Sequence, residues 1–343
     1  MKALMKVAPG PGNLELRDVP EPVPGPGEVV VRVAATGICG SDLHIQDDEY
    51  KVAPPVVIGH ETAGTVAAVG AGVTAWKPGD SVTSQTTIST CGRCELCRSG
   101  RTNLCPERRF LGGHVHGGFA EYFVVPERNL LRVPEHVSLE AAALTEPLAC
   151  CVHGVLEVAE PAPDSIVVVS GPGPIGLLCA QLARTAGASV IILGTSADTT
   201  RFALARRLGF EHLVDVQQTD PVVAVEAITG GKGADLCIEA AGAATSLDQC
   251  LRLAPRGGRV LQIGLYGRPV PVAVDTLVLK ELRLLGSFSS TPTSWPLALD
   301  LLAAGKVQTE PLITSRRPLD EWEAAFRAAR QKAEGKILLI PAG

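Results

Sequence analysis

The chain has no run of about 18 uninterrupted apolar residues, so no membrane-spanning helix is expected. Its opening, MKALMKVAPGPG, lacks the apolar core of a secretory signal. It also lacks an excess of basic charge. Lys and Arg total 31 against 36 Asp and Glu, a net charge of −5. That excludes a broad basic surface for nucleic acid or anionic lipid. The pairs Arg206–Arg207 and Arg316–Arg317 read as solvated surface. There is no internal repeat and no low-complexity segment. The expectation left standing is a cytoplasmic globular protein whose partners are small molecules, with no nucleic acid and no membrane among them.

Hydrophobic residues make up 46% of the chain, enough for a large core. At roughly 150 residues per domain, 343 residues suggest about two domains. Ten cysteines in a reducing compartment argue against disulfides and towards metal binding or catalysis.

Residues 1–150 are rich in Gly and Pro and carry short β-branched runs: EVVVRVAA, TAGTVAAVG, DSVTSQ, AEYFVVP and NLLRVP. They read as short strands joined by tight turns, folded into a β barrel with few helices. SLEAAALTEPLACCVHGVLEVA then has helical periodicity, with Ser138 as N-cap and Glu140 in the first turn. The texture changes at Ser165. The strand SIVVVSG is followed by a helix over 174–186, and apolar strands then alternate with helices as far as LRLLGSF. That alternation means a parallel sheet covered on both faces. After about residue 290 two helices, WPLALDLLAAGKV and LDEWEAAFRAARQ, and a closing strand, GKILLIP, are expected to return to the first domain. The divisions are therefore 1–150, 151–289 and 290–343.

Two motifs carry chemistry on their own. Cys91, Cys94, Cys97 and Cys105 are separated by gaps of two, two and seven. Four close thiolates can surround Zn²⁺ tetrahedrally with no open position, which marks a structural site in the lobe 91–105. An iron–sulfur cluster is the rival, since Cys105 precedes Pro106, but ferredoxins close their run with a shorter gap. VVVSGPGPIG supplies Gly171, Gly173 and Gly176 after a strand and at the start of a helix. Glycines so spaced let backbone approach a dinucleotide pyrophosphate at the helix N-terminus. Pro174 suits the first helical turn.

A third constellation needs both ends of a longer stretch. GICGSDLH holds Cys39, Ser41, Asp42 and His44, and GHE supplies His60 and Glu61. Each alone is unremarked, since a lone Cys is usually a small hydrophobe. Together they look like a second zinc site, open to substrate.

GICGSDLH, GHE, the four-cysteine lobe, EPL and GPGPIG occur in one order that covers nearly the whole chain. In this the sequence resembles the zinc-dependent medium-chain dehydrogenase/reductase family, in its sorbitol/threonine dehydrogenase-like branch. The resemblance implies an α/β chain: a GroES-like β-rich catalytic domain and a doubly wound Rossmann domain. It implies two zinc ions per chain. Cys39 and His60 would hold the catalytic zinc. Glu61 is a ligand in polyol-type members and stands behind the metal in others. Glu146 of EPL would bind the metal or its water, and Asp42 would orient His60. Ser41 and His44 match the family's proton relay. Ile175, Ala241, Gly264 and Phe288 would line the cofactor groove with the glycines. The implied reaction moves hydride between an alcohol and the nicotinamide, giving a ketone or aldehyde.

An amino-alcohol dehydrogenase of the threonine type would share this zinc set. A non-catalytic dinucleotide-binding sensor would be expected to have lost it, and it is intact. Polyol members often carry an Arg–Tyr pair after the last sheet strand, where this chain has Ser289 and Ser290. NAD-binding members hold the ribose with an acidic residue about 20 positions past the glycines. Here that place is Thr195, followed by Ser196, then Asp198 and Arg201. Neutral hydroxyls and an arginine favour NADP, and Asp198 is the route by which NAD would be held. The resemblance also implies a homo-oligomer, a homotetramer or a dimer, helped by the apolar strand LRLLGSF.

Overall fold

Two strands that the sequence did not announce open the chain, β1 (Lys2–Lys6) and β2 (Leu14–Asp18), paired antiparallel. This is a computed structural model that describes residues 1–342, so Gly343, the end of the expected closing segment, lies outside the described residues. EVVVRVAATG forms β3 (Glu28–Gly37), and helix α1 (Gly40–Gln46) follows directly. β4 (Val56–Val57) joins β1 in a three-stranded sheet. Next come β5 (Glu61–Val69), β6 (Ser81–Ser84) and β7 (Thr87–Ser89). A short helix α2 (Glu95–Arg98) sits in the cysteine lobe, which β8 (Arg109–Phe110) closes by pairing with β7. β9 (Tyr122–Pro126) and β10 (Leu130–Arg132) complete the first set. β3 is its spine, pairing antiparallel with β5 along its length and with β9 over Glu28–Arg32.

The long helix expected from Ser138 is three pieces. α3 (Leu139–Ala143) begins as read, with Ser138 Oγ accepting from the Ala141 amide at 3.1 Å. It stops at Leu144, and α4 (Thr145–Val152) restarts. Pro147 explains the break: it has no N–H to donate and is tolerated only in a first turn. A π-helical turn, His153–Ala159, then leads out. The restart puts Glu146 in the first turn of a buried helix.

The second domain follows the alternation seen in the sequence: β11 (Ile166–Ser170), α5 (Pro174–Thr185), β12 (Ser189–Gly194), α6 (Thr199–Arg207), β13 (Leu213–Asp215), α7 (Pro221–Thr229), β14 (Leu236–Glu239), α8 (Ala244–Leu253), β15 (Arg259–Gln262), an unforeseen α9 (Val274–Lys280) and β16 (Arg283–Gly286). All strands are parallel, in the order β13-β12-β11-β14-β15-β16. That is the Rossmann order, whose direction reverses between β11 and β14. Ligands bind beyond the carboxyl ends of the strands at such a reversal.

The tail holds α10 (Ser294–Ala303), β17 (Ile313–Pro318), α11 (Trp322–Gln331) and β18 (Lys336–Ile340), and its two strands join the sheet of β3. β18 lies between β3 and β17, with Leu338 opposite Gly37. α10 packs on α4. One apolar cluster runs from Ala142 and Leu148 through Val167 and Leu178 to Trp295 and Leu338, so the domains share core. No described helix is long and apolar enough to cross a membrane.

Candidate active site and metal centres

Cys39 is the residue before α1, and Asp42 builds the turn that aims it. One Asp42 oxygen accepts from the Cys39 amide at 2.9 Å. The other faces His60 Nδ1 at 3.6 Å, an ion-pair distance too long for a hydrogen bond. His60 Nε2 lies 3.3 Å from Ser41 Oγ. Asp42 is fully buried, and burial raises its carboxyl pKa to about 6. Burial disfavours the imidazolium of His60, but Asp42, Cys39 and Glu146 outweigh it and raise the pKa well above 6.5.

Glu146 is buried on α4, where Oε1 accepts from Cys150 Sγ at 3.4 Å one turn on. Burial, with Glu61 adding repulsion, raises the Glu146 pKa. Glu61 is differently placed. It points away from the cleft, and both its oxygens accept from Lys336 Nζ, at 2.7 and 2.6 Å. Lys336 also donates to the Ile38 carbonyl at 3.0 Å. Gly37 makes this possible, because a Cβ there would overlap the Glu61 carboxylate.

Ser41 and His44 lie three residues apart on α1, as expected. His44 Nδ1 meets Glu49 Oε2 at 2.5 Å. The loop at Gly267 of the second domain covers this pair, and a Cβ there would meet the Glu49 carboxylate and the His44 ring.

Cys39, Ser41, His44, His60, Glu146 and Cys150 share one interdomain cleft of about 520 Å³ with Ile175, Ala241, Gly264 and Phe288. Glu61 does not line it. Cys39, His60 and Glu146 bring a thiol, an imidazole nitrogen and a carboxylate to one cleft, donor types that suit a divalent cation of borderline softness, while among the described residues only the cysteine lobe has all its donor atoms within 4.8 Å of one another.

The cysteine lobe fits a metal on distance. All four sulfurs lie within 4.8 Å of one another, with Cys91–Cys97 at 3.9 Å and Cys91–Cys105 at 3.7 Å. A tetrahedron of Zn–S bonds near 2.3 Å has edges of about 3.8 Å. Amide N–H groups of Cys91, Cys94 and Cys97 point at neighbouring sulfurs, each at 3.4 Å. The amides of Arg93 and Cys94 lower the Cys91 pKa to about 6.

The glycine turn fits a dinucleotide. Gly171 has φ +103°, and a Cβ there would meet the Ala241 amide. A Cβ on Gly176 would strike the Gly171 carbonyl, whereas one on Gly173 would face open space bordered by Arg201. Gly173 caps α5 and Pro174 begins it. Thr195 and Ser196 directly follow β12 and Arg201 lies on α6, all outside the cleft lining. Asp198 is committed to them: Oδ2 accepts from the Thr195 amide and hydroxyl at 2.9 and 2.8 Å, and Oδ1 faces Arg201 Nη1 at 3.4 Å. Ser196 Oγ donates to Asp215 at 2.6 Å.

The sequence reading missed Lys336, Glu49, Cys150 and Asp215. None stands in a motif. Lys336 and Asp215 meet their partners through the fold, Lys336 from 275 residues away, whereas Glu49 and Cys150 lie five and four residues past theirs.

Fold and cleft together define a nicotinamide-dependent dehydrogenase with a metal centre, and comparison with known proteins agrees. The alcohol dehydrogenase GroES-like domain matches residues 25–135 and the zinc-binding dehydrogenase domain residues 174–304. The chain is 40% identical over 342 residues to a sorbitol dehydrogenase of Halalkalibacterium halodurans, covering 99% of each. It is 39% identical to a D-arabitol-phosphate dehydrogenase of Enterococcus avium, over 99% of this chain and 97% of that one. A zinc-binding dehydrogenase from Sinorhizobium meliloti 1021, solved bound to NADP, superposes with a TM-score of 0.86 at 38% identity, covering 99% of both chains. The chain belongs to the zinc-binding dehydrogenases with an alcohol dehydrogenase GroES-like domain. It is an oxidoreductase that transfers hydride between an alcohol and NAD(P).

Proposed function

We propose that this enzyme oxidises a secondary alcohol, polyol or sugar hydroxyl to the carbonyl, with two zinc ions per chain and NADP as the preferred cofactor. The observation that carries the reading is the meeting of Cys39, His60 and Glu146 with Ile175, Ala241 and Gly264 in one cleft. Zinc held by Cys39, His60 and Glu146 would lower the pKa of a bound alcohol and polarise a ketone. Asp42 faces the Nδ1 side of His60 at 3.6 Å, and Nε2 lies on the Ser41 side, towards the cleft. Ser41 Oγ takes the substrate proton and passes it along α1 towards His44. Glu49 fixes the Nδ1–H tautomer of His44, so Nε2 is free to accept it. Glu61, held by Lys336, stands behind the metal and does not ligate it. Cys91, Cys94, Cys97 and Cys105 hold the second, structural zinc.

Gly171, Gly173, Pro174, Ile175 and Gly176 cradle the pyrophosphate, and Ala241, Gly264 and Phe288 border the nicotinamide half. Thr195 and Arg201 take the 2′-phosphate, which supports NADP, as does the NADP-bound relative. The bonds that engage Asp198 also engage the Thr195 hydroxyl and the Arg201 guanidinium, so a 2′-phosphate would take these two groups in place of Asp198. A second reading, an amino alcohol of the L-threonine type, uses the same metal set, and Arg108 in the cleft wall suits its carboxylate.

The domains divide at 1–150, 151–289 and 290–343, and the enzyme works in the cytoplasm as a homo-oligomer, a dimer or tetramer. Val278 and Leu279 on α9 and Leu284 on the edge strand β16 are exposed and suit a second copy. Light scattering that gives a mass near 35.7 kDa would refute the oligomer. The function is tested by metal analysis together with alcohol-dependent reduction of each cofactor. About one zinc per chain, or no alcohol oxidised by any variant of the assay, would sink it.

A further inference from the structure

We propose that Arg108 is a substrate-binding residue, and that the alcohol turned over here carries an oxyanion tail, a phosphate ester or a carboxylate, held by that guanidinium. The inference rests on reading the cleft as an alcohol dehydrogenase site and narrows its substrate class.

Arg108 stands just before β8 and lines the cleft. Its Nε donates to Thr87 Oγ1 at 2.9 Å, and its Nη2 donates to Ser289 Oγ at 3.1 Å. Its Cζ lies 5.1 Å from the centre of the Phe110 ring and 5.6 Å from that of Phe288. Two rings and two hydroxyls thus fix the plane of the guanidinium. They take Nε–H and one N–H of Nη2, and leave both N–H groups of Nη1 and the second of Nη2 to donate to an oxyanion.

None of these four partners neutralises the charge. Among the described residues no carboxylate pairs with Arg108, and its neighbour Glu107 pairs with Arg93 instead. The other arginine of the wall, Arg330, is taken by Asp47. A half-buried cation held rigidly without a counter-ion is a receptor for an anion. Its field reaches nearby groups. Burial, then Arg109 and Arg108, lower the pKa of His114, whose ring packs on Phe110.

The far wall is built to match. Ser289 adopts φ +58°, a conformation a non-glycine residue keeps only where its surroundings enforce it. The enforcing contacts are the Arg108 bond and Asn103 of the cysteine lobe, whose Nδ2 donates to the Phe288 carbonyl at 2.7 Å. The loop that carries Phe288 and Ser289 belongs to the second domain. The anion site is therefore assembled by both domains, in the same cleft as Ser41 and His60.

The test uses zinc-loaded enzyme and matched substrates: a neutral polyol with its phosphate monoester, and a neutral secondary alcohol with the hydroxy acid of like skeleton. We expect an anionic member to be preferred by at least about tenfold in kcat/KM, and the pair that shows it identifies the tail. Arg108→Met should remove most of that preference, by about tenfold, mainly through KM. Arg108→Lys should keep part of it, as a point charge without the fork. Inorganic phosphate should inhibit the wild type competitively, and Arg108→Met about tenfold more weakly. A wild type that prefers the neutral member of both pairs overturns the inference. So does Arg108→Met if it keeps either the preference or the phosphate inhibition. No turnover of any alcohol would overturn the reading of the cleft and this inference with it. Turnover confined to neutral alcohols overturns this inference alone.

Discussion

Lys336→Met should be among the most damaging single changes outside the cleft. Lys336 is 4% exposed and Glu61 is fully buried, and the ammonium meets both carboxylate oxygens within 2.7 Å. At an effective dielectric of about 20, unit charges so close attract by about 6 kcal/mol. Burial of two ions costs a comparable amount, so the intact pair is near balance. Methionine fills the lysine stem but leaves the Glu61 charge buried with no counter-ion. The expected loss is about 3–5 kcal/mol. Urea unfolding, followed by tryptophan fluorescence, measures this. The control is Lys336→Met with Glu61→Leu, which removes both charges and should recover most of the loss. A single variant within about 1 kcal/mol of wild type, or a double variant no better than the single, would refute the reasoning.

The two metal sites should separate by mutation: Cys94→Ser lowers the melting temperature and removes one zinc equivalent, whereas Cys39→Ser or His60→Ala abolishes turnover with little change in melting. If Cys39→Ser kept activity within about tenfold, its place at the metal would be wrong. Asp215→Asn removes the carboxylate beside Ser196 and should raise kcat/KM for NADP relative to NAD. An unchanged ratio would mean that Ser196 does not face the 2′ position. Burial alone would raise the Glu157 pKa, but hydrogen bonds from His153, Thr293 and Thr291 bring it down to about 2. A depressed carboxyl stabilises above its unfolded pKa of 4.5 and loses that contribution as pH falls towards 2. Glu157→Gln should therefore lower the melting temperature at pH 7, with the gap closing by about pH 2; a gap constant with pH would exclude the linkage.

What could be read from the chain alone was whatever short-range pattern enforces. Cys91, Cys94, Cys97 and Cys105 bring their own spacing, and a metal asks for little else. Gly171, Gly173 and Gly176 sit between a strand and a helix because only that junction needs such bare backbone. Alternating apolar strands and helices from Ile166 onward dictated the parallel sheet, since a strand covered on both faces has to be apolar throughout. Pro147 was visible, yet the break it causes was not foreseen, because helical periodicity continues across it. Tertiary structure decided what depends on distant segments. Glu61 adjoins His60 in sequence, but His60 lines the cleft while Lys336 on the last strand claims the Glu61 carboxylate. Asp198 looked free for a ribose until the start of α6 folded it onto Thr195 and Arg201. Arg108 belonged to no motif. Its role arises only where Phe110 of one domain and Phe288 of the other close on one guanidinium, and no local spacing encodes a contact across 180 residues of chain.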